Sequence, residues 1–177
     1  MEAGMAYPTT SKWFHWITVV LMAIALPTGF VIQHLAEESK GTFYAIHQNA
    51  GLTLLLVAAA RLWWRIRHPV PLHPGLPAPM RITANAVHHL LYLALILQPV
   101  LGFFMTNAFG FPMQGETAYL GLIDFPKFME THEGLGNALL AAHVWLGWTI
   151  LGLLVLHVGG VVFHQAIRKD GTLLRMV

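Results

Sequence analysis

The chain has 177 residues, 56% of them hydrophobic and only 10% charged, whereas about a quarter are charged in an ordinary soluble domain. With 18 charges, a net charge of +2 and a mean hydropathy of +0.59, it lacks the polar surface of a soluble enzyme, a nucleic-acid binder or a disordered chain, and reads as one integral membrane domain. Cysteine is absent, which removes disulfides, thiolate zinc sites, iron–sulfur clusters and covalently attached c-type haem.

Four apolar stretches are long enough to span a hydrocarbon core, which takes about 20 helical residues. They are expected near residues 13–33, 43–64, 84–106 and 135–163, giving an all-α bundle of four transmembrane helices. The first follows Lys12 but is too long for a cleaved signal peptide and has no convincing small-residue cleavage site after it, so it reads as a permanent helix. Residues 35–42 are expected to form a short acidic loop. Residues 68–79, with Pro69, Pro71, Pro74, Pro77 and Pro79, form an extended linker, and residues 107–134 a longer acidic one.

Lys and Arg are distributed unequally between the two sides. Lys12, Arg61, Arg65, Arg67, Arg81, Arg168, Lys169 and Arg175 fall on one side, and Lys40 and Lys127 on the other. The positive-inside rule then places both termini of this multi-pass protein in the cytoplasm. Arg65 and Arg67 read as headgroup anchors, and Trp13, Trp16, Trp63 and Trp64 as an interfacial belt.

Eleven histidines stand against the missing cysteines. Histidine at membrane depth is rare and usually functional. On this topology His47 and His143 lie in the outer half of the bundle, and His15 and His157 in the inner half. The 14 residues from His143 to His157 rise about 21 Å and return to nearly the same face. Two facing imidazoles at each of two depths are what two non-covalent b-type haems require as axial ligands. Gly51 and Gly147 lie one turn beyond His47 and His143, and Gly29 lies 14 residues after His15, so these small residues are expected to allow close backbone approach. Arg61, 14 residues after His47, is expected at the inner layer, where a haem propionate wants a cation.

Two plainer readings compete. A lone intramembrane histidine can simply hydrogen-bond a neighbouring helix. A zinc or copper site is the other, but two histidines per layer with no carboxylate at that depth leave it short of ligands. The methionines read as packing, since each haem already has two imidazoles.

The segments carrying these residues resemble the bacterial cytochrome b-561 family of small four-helix di-haem membrane proteins. The resemblance runs nearly end to end. It takes in FHW at 14–16, IHQNAGLTLLLVAAARLWWR at 46–65, HLLYLALILQPVLG at 89–102, AHVWLG at 142–147, Leu156–His157 and DGTLLRM at 170–176. It implies two haem b groups with axial ligands His15, His47, His143 and His157, and electron transfer between the membrane quinone pool, ubiquinone included, and a periplasmic redox protein. It also implies an alternative, superoxide oxidation outside with the electron passed to ubiquinone. The family is similar, too, to the haem-bearing anchor subunits of hydrogenases and formate dehydrogenases. This chain carries no extra domain, so it is expected to act alone or to borrow a partner. A non-redox metal-binding membrane protein is the reading from a different class.

His88 is better aligned with the family than its neighbour His89, and is expected to contact an inner-haem propionate or a quinone. His164, seven residues beyond His157, is either a quinone or propionate contact or an interfacial histidine beside Gln165. His34, His68, His73 and His132 read as solvated surface.

Overall fold

The structure, a computed structural model, describes residues 6–70 and 76–177; Pro71, His73 and Pro74 lie outside the described residues. Four long helices dominate it: α1 (Thr9–Val31), α2 (Glu37–Arg67), α3 (Ala78–Ala108) and α4 (Glu133–Val162). All four are long and apolar enough to cross a membrane. Single helical turns follow α1 (Ile32–His34), interrupt the α3–α4 connection (Gly115–Thr117) and lie near the C-terminus (Leu173–Arg175), and α4 continues into a π-helical turn, Phe163–Arg168.

Most helix ends lie beyond the expected bounds because charged and polar residues join the terminal turns. The acidic loop expected over 35–42 is mostly helix: Glu37 and Glu38 occupy the first turn of α2, where carboxylates suit the dipole, and Glu37 pairs with Lys40 at 2.5 Å. Helix α2 stops at Arg67 because residue 68 precedes Pro69. Of the proline-rich linker, Ala78 and Pro79 already belong to α3, since a proline in the first turn gives up only an N–H that is orphaned anyway. His132 was expected as plain surface; its Nδ1 accepts the Leu135 N–H at 3.0 Å and caps α4.

Backbones pack most closely between α1 and α2 and between α3 and α4, with α2 against α3 joining the two pairs. The buried apolar cluster is Met22, Leu54, Ala58, Ala94, Leu95 and Ile150. Leu54 lies seven residues from both His47 and Arg61, and Ile150 seven from both His143 and His157. An apolar layer therefore separates two histidine-bearing levels.

The start of α1 with Tyr7, the facing ends of α2 and α3, and the C-terminal strap meet at one end, which carries most of the cations. The Lys12 ammonium donates to the Val177 carbonyl, Trp16 Nε1 to the Met176 carbonyl, and the Tyr7 N–H to the Arg175 carbonyl. The strap is fastened at Asp170. Its carboxylate accepts from His164 Nδ1 at 2.6 Å, Arg168 Nε at 3.0 Å, and the Thr172 hydroxyl and N–H at 2.7 and 3.1 Å. Burial favours the neutral acid, but these donors outweigh it and hold Asp170 below the usual carboxylate range. A depressed folded pKa contributes stability that is present above the unfolded value of about 3.9 and lost as pH falls through the folded one. Asp170→Ala should therefore loosen the strap at neutral pH, raising the rate of tryptic cleavage after Arg175, 7% exposed, by about tenfold. In the parent chain the same loosening should appear only under strongly acid conditions.

Candidate haem-binding site

At the level nearer the acidic end, His47 of α2 faces His143 of α4, with ring centroids 6.0 Å apart and planes at 79°. At the level nearer the basic end, His15 of α1 faces His157 of α4 at 6.2 Å and 65°. Both pairs connect α4 to the α1–α2 side, where the backbones are not in close register.

The acidic-end pair is held by one repeated device. His47 Nδ1 lies 2.9 Å from the Ala25 carbonyl, and His143 Nδ1 lies 3.0 Å from the Gln98 carbonyl. A carbonyl only accepts, so each Nδ1 carries the proton and each Nε2 keeps its lone pair free for a metal. A helical carbonyl points toward the residue four positions on, and both of those residues are glycines. A Cβ on Gly29 would stand 2.7 Å from His47 Cε1, and one on Gly102 3.0 Å from His143 Cε1. Gly29 thus makes room for an imidazole, where close approach of a porphyrin was expected.

Gly147 repeats the device. It opens the His143 carbonyl to Gln98 Nε2 at 2.9 Å, and its own Cβ would sit 3.4 Å from that nitrogen. Gln98 therefore grips His143 by backbone and side chain together. Among the described residues nothing lies within 4 Å of a Cβ on Gly51, so the space one turn beyond His47 is open. The sequence reading missed Gln98 and Gly102. Their signal was available: a glutamine followed by Pro99 inside an apolar run, with glycine four residues on.

The basic-end pair is arranged differently. Arg61 Nη2 lies 3.1 Å from His15 Nδ1, and the guanidinium carbon lies 5.2 Å above the Tyr92 ring. Guanidinium only donates, so here His15 Nδ1 is the acceptor. Offering Nε2 to a metal would require Arg61 to turn toward another anion or acceptor. His88 joins this level, its ring 5.2 Å from that of His157, and its Nδ1 donates to the Ala84 carbonyl at 2.7 Å. His164 stands below, committed to Asp170. His34, His68 and His89 are exposed, with His68 stacked on Trp64 at 3.7 Å. Among the described residues, no group of three or more His, Asp or Glu side chains is arranged to hold a metal ion by itself.

The profile described as prokaryotic cytochrome b561 matches residues 6–177. The chain belongs to that family. It is 28% identical to cytochrome b561 homolog 2 of Escherichia coli (strain K12) over 97% of this chain and 90% of that one. Identity to cytochrome b561 homolog 1 of the same strain is 27%, over 97% and 96%. It is 26% identical to the probable superoxide oxidase CybB of Yersinia pestis, over 92% and 90%. As a member of the cytochrome b561 family the chain is a multi-pass membrane electron carrier, and the family implies haem b. The residues fit that group: facing imidazoles, free Nε2 atoms at the acidic end, an open space beside Gly51 and an arginine reaching into the basic-end level.

Proposed function

We propose that this chain is a di-haem b-type cytochrome of the bacterial inner membrane, carrying electrons between the quinone pool and a redox partner on the periplasmic side. The observation that carries the reading is the pairing of four imidazoles at two levels, 6.0 and 6.2 Å between ring centroids. Facing imidazoles at this separation would suit one shared metal ion, whose bonds to imidazole nitrogen run about 2.0–2.1 Å. In this reading His47 and His143 hold the outer haem, His15 and His157 the inner one, and the basic end faces the cytoplasm. Bis-imidazole haem b would supply a one-electron couple with no open coordination position.

The protein's own residues then orient and tune. The Ala25 and Gln98 carbonyls fix the outer imidazoles, and Arg61 offers the inner level a cation. His88 is the better-placed quinone contact, because its Nε2 remains free beside His157 while His164 serves the strap.

The similarity to a probable superoxide oxidase supports a second reading, oxidation of superoxide with ubiquinone as acceptor. The acidic end argues against rapid capture of an anion. Lys40 is paired with Glu37, and Lys127 donates to Thr131, while Glu38, Glu116, Asp124, Glu130 and Glu133 lie at the same end, in the first turns of α2 and α4 and the α3–α4 connection. Purified protein should contain two haem b per chain and be reduced by ubiquinol, and superoxide should reduce it slowly, at a rate that rises with salt. A near-diffusion-limited rate that falls with salt would instead establish the superoxide reading, and a colourless preparation would remove both.

A further inference from the structure

The connection between α3 and α4 does not stand clear of the bundle. Asn49 of α2 accepts the Leu120 N–H on its Oδ1, and its Nδ2 donates to the Ala118 carbonyl at 3.4 Å; the Tyr119 hydroxyl meets Thr53 Oγ1 at 3.2 Å. These anchors fix the depth of the segment. The apolar layer at Leu54 and Ile150 lies midway between the two histidine levels, and the uncharged run of α4, residues 134–167, is centred on Ile150. Asn49 is five residues from Leu54, hence about 7–8 Å along the helix. A hydrocarbon core extends about 15 Å to either side of its midplane. Tilting α2 only brings Asn49 closer to the middle.

Irregular backbone survives at that depth only with its polar groups satisfied by protein. This segment meets the condition for every N–H from residue 118 to 123. Ala118 donates to Gly115 at 3.0 Å, Tyr119 to Ile123 at 2.8 Å, Gly121 to Ala118 at 3.0 Å, and Leu122 and Ile123 to Tyr119 at 3.1 and 3.0 Å, while Leu120 uses Asn49. The tip is apolar and outward: Leu120 is 63% exposed, Leu122 86% and Ile123 50%, whereas Ala118 and Tyr119 are buried. Leu120 and Gly121 both hold left-handed backbone, with φ of 55° and 68°. A turn facing water places Asn or Asp where Leu120 stands. Charge is confined to the flanks, Glu116 and Asp124.

We infer that residues 119–123 form a re-entrant wedge whose leucine tip lies among the acyl chains of the outer leaflet, held at depth by Asn49. The occupant of this surface is lipid hydrocarbon, and the inference stands apart from the proposed electron-transfer role.

The cysteine-free chain gives a direct test. Leu122→Cys in the full chain, nitroxide-labelled and reconstituted in phosphatidylcholine–phosphatidylglycerol vesicles, should collide with oxygen more readily than with a water-soluble nickel chelate. It should match a label at Val155, 65% exposed on α4, and oppose one at Lys127. Ile123→Cys serves as the second site should the first variant misfold. Collision with the nickel chelate at the level of Lys127 would overturn the wedge. So would shielding from both reagents, which would mark a protein contact instead.

Discussion

If the proposed di-haem reading holds, replacing His47 or His143 by Ala should leave about one haem per chain in place of two, with the remaining haem keeping its parental potential. His15→Ala and His157→Ala should remove the other haem. The expectation follows from the pairing across helices: each level draws one ring from α4 and one from α1 or α2, so deleting either ring would remove one of the two imidazoles that would hold the haem of that level. Haem content per chain and a redox titration of what remains provide the measurement. If His47→Ala and His15→Ala remove the same spectral component, the two-level assignment is wrong. Gln98→Ala should be milder. It deletes the amide that grips the His143 carbonyl while leaving the Gln98 carbonyl in place to orient the ring, so the outer haem should stay bound with weakened retention.

The two levels were legible in the sequence because helical periodicity converts spacing into position. Fourteen residues return to nearly the same face after about four turns, which aligns His143 with His157 on α4 and places Arg61 beneath His47 on α2. That arithmetic needs no knowledge of neighbouring helices. What it missed depends on contacts between helices. Gln98 and Gly102 acquire meaning only when α4 lies against α3 and the His143 ring needs a carbonyl to receive its Nδ1 proton. Gly29 lies at the level its spacing predicts, but its contact with the His47 ring is invisible in the sequence, which does not show that ring leaning toward Ala25.

The loop at 107–134 reads as a plain connection, and the strap beyond Phe163 has no legible structure, for a related reason. Their order comes from long-range hydrogen bonds, such as those of Asn49 to Ala118 and Leu120, and from the ring of donors around Asp170. Helix ends were shortened wherever charge was equated with loop. Glu37, Glu38 and Lys40 show that a membrane helix can project beyond the hydrocarbon and carry its charges there.

Arg61→Gln should lower the potential of the inner haem by several tens of millivolts and leave the outer one nearly unchanged. Arg61 lies at the basic-end level beside the rings of His15 and Tyr92, with Tyr7 and Arg65 its further electrostatic neighbours and no carboxylate among them, so its charge is available to a bound anion. A cation near haem favours the reduced iron, which carries one positive charge fewer, so its removal favours the oxidised form. At about 10 Å and an effective dielectric constant of about 20, the interaction is worth roughly 1.7 kcal/mol, or about 70 mV for one electron. Losing that cation also frees His15 Nδ1 from its donor. The freed nitrogen can then carry the proton that an Nε2-ligating imidazole needs, so haem occupancy should hold or rise even as the potential falls. Arg61→Lys keeps the charge and should retain most of the parental potential. The discriminating result is the split between the two quantities: a purely structural Arg61 would lower occupancy and leave the potential of the haem that remained unshifted.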